Sequence, residues 1–190
     1  MDSKIRSRVI DYVKPLAVGL DGVTNFGDVR RAVAAAESIA EGRRDVDPDL
    51  LFLLAVFSGQ EKWVSRMGHR SRTELFLASE GFAGKTVTSL FRALGRFDSD
   101  PRTPEEEIVY DAVRLDRMGA YGVARSLIEE YRERSDVPEM AEAIEAAAGE
   151  EFRTDRGRSL AEGRRETMRE FAERLREEFA QFDRAGKRET

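Results

Sequence analysis

Leu50-Leu51-Phe52-Leu53-Leu54-Ala55-Val56-Phe57 is an unbroken apolar run, preceded by Asp47-Pro48-Asp49. An aspartate that can accept from the free N–H groups of a first turn, followed by a proline whose missing N–H is not needed there, marks a helix start. The helix that follows has no polar face, so other elements must enclose it on every side. It predicts the centre of a core, and a chain of 190 residues is long enough to build that core as one domain, residues 1–190.

The rest of the chain also reads as helix, which predicts an all-α bundle. Ile5, Val9, Val13 and Leu16 recur at helical spacing, and Pro15 makes the last turn irregular. After a loop from Gly19 to Gly27, a helix from Asp28 to Glu41 carries a stripe of small apolar side chains and stops at Gly42. The polar stretch from Ser58-Gly59 to Met67-Gly68 reads as loop, and helices follow around Thr73–Glu80 and Thr86–Leu94. Thr103-Pro104-Glu105-Glu106 has the form of a capping box, opening a helix that passes Tyr110, breaks at Gly119 and resumes over Ala120–Glu133. Asp136 to Pro138 opens another helix, ending near Gly149. The last helix, about Asp155 to Phe182, places Met168, Phe171, Leu175, Phe179 and Phe182 on one stripe within a charged, solvated surface.

Composition excludes several functions. With no cysteine there is no disulfide, thiolate nucleophile or cysteine-bound zinc, and His69, the single histidine, rules out any site needing two imidazoles. A net charge of -5 argues against nucleic acid as partner, because phosphate neutralisation needs a concentrated basic face. The longest apolar run is far short of the roughly 20 residues that span a bilayer, so no membrane association is expected and a cytoplasmic protein is. A small-molecule ligand or a protein partner remains.

The segment Glu107-Ile108-Val109-Tyr110-Asp111-Ala112-Val113-Arg114-Leu115-Asp116-Arg117-Met118-Gly119-Ala120-Tyr121-Gly122-Val123-Ala124-Arg125 resembles the pattern I-V-x-D-A-D-R-L-D-A-x-G-A-x-G-I-A-R of small stand-alone bacterial HD-domain phosphohydrolases. Leu50–Phe57 is similar to the apolar helix that leads into the HD dipeptide of that family. The stretch from Arg158 through Arg165, Met168 and Phe171 is similar to its final helix. The resemblance implies a helical bundle whose metal site lies between the second helix, the third and the one bearing D-A-D-R-L-D. There, two histidines and two aspartates hold a divalent ion that polarises a phosphoryl oxygen and acidifies a water.

Against that pattern the ligands are missing. Asp28 stands where the first histidine belongs, with Arg31 in the family's arginine position; Ser58-Gly59 replaces the HD dipeptide, and Val113 replaces the middle aspartate of D-A-D-R-L-D. A register shifted by two residues brings Gln60-Glu61 to the dipeptide's place and recovers no histidine, and His69 reads as an exposed loop residue. The retained packing pattern predicts that Asp28, Ser58, Gly59 and Val113 converge in space.

Three readings follow. In the first, the chain is a non-hydrolytic pseudoenzyme without metal or cofactor, holding a small ligand or a protein partner at the vestigial cleft through Asp28, Arg31, Ser58 and Arg114. In the second, it is a metal-independent acid–base enzyme of isomerase, cyclase or lyase type, drawing on Asp28, Glu61, Lys62, Asp111 or Asp116, with Tyr110 and Tyr121 as hydrogen-bond donors. In the third, it hydrolyses phosphoesters with an improvised metal site built on Asp28, Glu61 and neighbouring carboxylates. The structural alternative is that Arg114, Asp116 and Arg125 form internal ion pairs tying helices together, that Glu61 and Lys62 lie in a polar loop, and that Asp111 flanks an exposed face. Ser58 has no positioned histidine to activate it as a nucleophile.

Overall fold

The computed structural model describes residues 2–15, 26–64, 66–133 and 136–186; the expected loop at 19–25 and Leu16 lie outside them, as does the side chain of Phe182. Among the described residues every regular element is a helix, and they gather into two compact units, Met1–Val113 and Arg114–Thr190. None of these helices is long and apolar enough to cross a membrane.

The first unit is organised around α3. It follows α1 (Ser3–Val13) and α2 (Phe26–Ile39), and runs Pro48–Phe57 with all of residues 50–57 buried. Asp47 accepts from the N–H groups of Asp49 and Leu50 at 2.9 and 3.1 Å, the cap its position predicts. Each aliphatic or aromatic side chain enclosed in this way contributes about 1.5–3 kcal/mol relative to exposure, which makes α3 the strongest apolar contribution in the unit. α1 and α2 pack on it, as does α6 (Gly84–Leu94), while α4 (Glu61–Val64) and α5 (Met67–Ser79) pack on each other. Tyr12 of α1 stacks on Phe76 at 4.1 Å between ring centroids.

Two expectations are corrected in this unit. Residues 61–72 are not a continuous loop: Glu61 and Lys62 open the short α4, and α5 begins at Met67, well ahead of Thr73. Most of residues 66–72 are exposed, so the helix carries no apolar periodicity there for a sequence reading to detect. The capping box at the start of α7 (Pro104–Asp116) is only half formed. The Thr103 hydroxyl accepts from the Glu106 N–H at 3.4 Å, but the Glu106 carboxylate turns away to the guanidinium of Arg96 (2.9 and 2.6 Å) and the N–H of Arg102 (2.7 Å). Its neighbour Glu105, also buried, accepts from the Asp47 N–H at 2.7 Å, so the first turn of α7 is tied both to the start of α3 and to the 96–102 loop.

In the second unit, α8 (Gly119–Glu133), α9 (Val137–Ala148) and α10 (Asp155–Gly186) pack mutually. α9 has the full reciprocal box, Asp136 accepting from Glu139 N–H at 3.0 Å and Glu139 from Asp136 N–H at 2.9 Å. The buried seam of α10 is Ala161, Met168 and Ala172. The expected aromatic stripe is therefore displaced: Phe171 and Phe179 stay 37% and 40% exposed, because small residues at 161 and 172 let the neighbouring helices approach closely. Gly122 of α8 has the same effect locally, since a Cβ there would sit 2.1 Å from the Arg117 carbonyl oxygen.

Candidate functional site

The helix α3 ends at Phe57, and the backbone that follows builds a tight turn at Ser58-Gly59, the position matched to the dipeptide from sequence. Ser58 is the C-cap, with φ -59° and ψ 133°, and its hydroxyl donates back to the carbonyl of Ala55 at 2.8 Å. Gly59 takes φ +84°, a left-handed conformation that side-chain-bearing residues rarely adopt. Its N–H donates to the Glu61 carboxylate at 2.6 Å. Serine and glycine thus form a self-satisfied turn, and an aspartate at position 59 would be strained by backbone conformation alone.

Glu61 is the titratable group that this turn perturbs. Burial raises its carboxyl above the ordinary glutamate value, and nearby Asp98 adds to the shift; the Gly59 N–H and Lys62 oppose it. Lys62 itself is exposed, and Gln60 is buried.

Asp28, in the first turn of α2, is half-buried and ion-paired with Arg31 one turn on. Two of the four residues proposed from sequence as ligand contacts therefore engage each other. α2 packs against α3, the helix that ends at Ser58. On α7, Asp111 is fully buried, correcting the expectation of an exposed face, and Tyr110 is buried with it; Val113 is half-buried. Arg114 and Asp116 are half-buried in the second unit, where Arg114 Nε lies 3.0 Å from Glu150. Arg125 is buried and meets Glu129 at 2.9 Å within α8. Tyr121 is 40% exposed.

The sequence reading missed the surroundings of His69. The residue lies in the first turn of α5, half-buried, with its ring edge-on to Trp63 at 4.1 Å between centroids. Its Nδ1 is buried without a hydrogen-bond partner among the described residues. Helical phase from Leu77 back through Thr73 would have placed His69 on the inward side, because both are fully buried at i, i+4, i+8 spacing.

The donors do not fit a divalent metal. At the positions that the resemblance matches to ligands stand one carboxylate already paired to a guanidinium, a hydroxyl turned onto its own helix, a glycine and a valine. Among the described residues, no three His, Asp or Glu side chains cluster as a cation site, and the improvised carboxylate centre built on Asp28 and Glu61 finds no support.

No protein-family profile matches the sequence, and no curated protein aligns with it significantly. Solved structures, however, share its fold, an HD-superfamily hydrolase among them. A Bacillus thuringiensis HD-superfamily hydrolase superposes with a TM-score of 0.66 at 17% identity, over 93% of this chain and 95% of its own. YpgQ of Bacillus subtilis in complex with ADP gives 0.71 at 19% identity, covering 92% and 95%. A Listeria innocua protein gives 0.75 at 16% identity, covering 95% and 98%.

Proposed function

We propose that this chain is an HD-like domain that no longer hydrolyses phosphoesters and instead binds a small ligand or a protein partner at the vestigial cleft. The observation that carries the reading is the turn at Ser58-Gly59. Loss of the dipeptide is more than a change of side chains there, because the left-handed backbone at Gly59 and the hydroxyl bond to Ala55 form a turn that does not present ligands. Asp28 paired with Arg31 engages the remaining carboxylate at the matched positions, and the Arg31 guanidinium, 39% exposed, is a group of the type that recognises anionic ligands. YpgQ in complex with ADP makes a nucleoside diphosphate the first ligand to try. Calorimetric titration with ADP in the presence of chelator should show binding that weakens in Arg31→Ala. Incubation with a panel of nucleotides and phosphoesters plus magnesium, manganese or cobalt should release no phosphate. Metal-dependent release that is lost in Asp28→Asn would overturn the reading.

One observation favours a second reading, a metal-independent acid–base enzyme. Glu61, with its carboxyl raised by burial, sits hydrogen-bonded beside the turn and is the candidate best suited to proton transfer near neutrality. A turnover that persists in chelator and disappears in Glu61→Gln would establish it in place of the first.

A further inference from the structure

The second unit contains a cavity that the vestigial cleft does not explain. It has a volume of about 320 Å³, lies against α8 and α9, and is lined by arginine, glutamate and very small side chains. Arg114, Arg117 and Arg125 supply three positive charges, and Glu129, Glu130 and Glu150 supply three negative ones. Ala143, Ala147 and Gly122 leave the space between them unfilled. Gly122 has no substitute here, because any Cβ would collide with the Arg117 carbonyl.

The two signs of charge are not equally deep. The side chains of Arg114 and Arg125 are 16% and 10% exposed, whereas their partners Glu150 and Glu129 are 40% and 50% exposed. Arg114 and Arg125 are therefore the more enclosed partner of each pair, although Arg117 is exposed and one Glu150 oxygen is itself buried. Arg114 Nε approaches Glu150 Oε2 at 3.0 Å but off the hydrogen-bonding direction, leaving that oxygen buried without a hydrogen bond. A buried acceptor in this state costs free energy until a donor reaches it.

We propose that this cavity is a binding site for a small zwitterion of the amino-acid class, with its carboxylate or phosphate toward Arg114 and Arg125 and its ammonium toward Glu129 and Glu150. A simple anion would meet the arginines but also three glutamates; a simple cation would meet the reverse. Only a ligand bearing both charges satisfies both ends, and guanidinium groups suit a planar carboxylate or a phosphate by two-pronged hydrogen bonding. The volume is at the lower end of the range of about 300–1,000 Å³ usual for ligand pockets, in keeping with a compound of this size. The site uses residues of the second unit alone, so it stands or falls separately from the reading of the vestigial cleft.

The test is calorimetric titration and ligand-observed NMR on the full chain, with O-phospho-L-serine and L-glutamate as zwitterions and inorganic phosphate and ethylamine as single-charge probes. One zwitterion should bind one to one, at least tenfold more tightly than either single-charge probe, and the preferred one distinguishes a phosphate from a carboxylate head. Arg125→Gln should weaken it at least tenfold. Because Arg125 is buried and its loss could unfold the helix, Ala147→Leu and Ala143→Leu, which fill the cavity and leave every charge in place, provide the second arm. Both should abolish binding with the helical circular dichroism unchanged. Absence of binding by all four probes, phosphate binding as tight as either zwitterion, or undiminished binding in both folded leucine variants would each overturn the proposal.

Discussion

Glu106→Gln removes one charge from an enclosed ion pair of the first unit, and the contacts set its cost. The Glu106 side chain is 2% exposed, and it accepts three bonds from Arg96, two of them shared by Nε, and one from the Arg102 backbone. Removing one partner of a fully buried pair costs about 3–5 kcal/mol, because the other charge is stranded. Arg96 is 25% exposed and can turn toward water, which lowers that figure. Glutamine keeps the volume and one acceptor oxygen, so the expected loss is about 2 kcal/mol. Glu106→Ala also strands the Arg102 N–H and leaves a void, and about 3 kcal/mol is expected for it. Urea unfolding should show both losses with little change in slope. For a chain of this size the glutamine variant should melt about 4–8 °C lower. A double variant with Arg96→Ala should be less destabilised than the sum of the two single changes. If Glu106→Gln falls within about 0.5 kcal/mol of the wild type, the range of an ordinary surface change, the bridge does not hold α7 to the 96–102 loop and the argument fails.

Three further outcomes are expected. Burial raises the Glu61 carboxyl, so the fold favours its neutral form; the stability this contributes is complete below the unfolded-state value and is lost as pH rises through the folded-state one. Glu61→Gln should therefore be more stable than the wild type at neutral pH and show a flatter stability profile through the weakly acidic range, as thermal melts across pH would reveal. Gly122→Ala places a methyl 2.1 Å from a backbone oxygen and should cost at least about 3 kcal/mol by urea unfolding, since the obstructing atom is not the end of a flexible side chain. Elemental analysis after incubation with manganese or cobalt should find no stoichiometric metal; one ion per chain, displaced in Asp28→Asn, would contradict the donor assignment.

The sequence made helix type and order legible wherever an apolar period or a cap marked them. Asp47-Pro48 with the run to Phe57, the break at Gly119 and the box at Asp136 all stand as expected, with α2 beginning two residues early. Three features were illegible for physical reasons. The start of α5 carries exposed polar residues with no period to detect. The burial of Asp111 and the inward turn of Glu106 depend on which neighbours pack on α7, and single-sequence patterns do not encode that. The seam of α10 was misread because a hydrophobicity pattern favours large aromatics, whereas close helix packing selected Ala161 and Ala172. For the candidate site, the departures from the resembled pattern at Asp28, Ser58, Gly59 and Val113 are read directly from the sequence, but the left-handed turn at Gly59 is not.

The pairing of Trp63 with His69 gives the molecule an optical property. The chain has one tryptophan and one histidine, and their rings touch. The single indole therefore reports on one place, the junction of α4 and α5 just beyond the Ser58-Gly59 turn. Anything that shifts α4 against α5, such as a ligand reaching Glu61, should appear as a change in tryptophan emission without any label being attached.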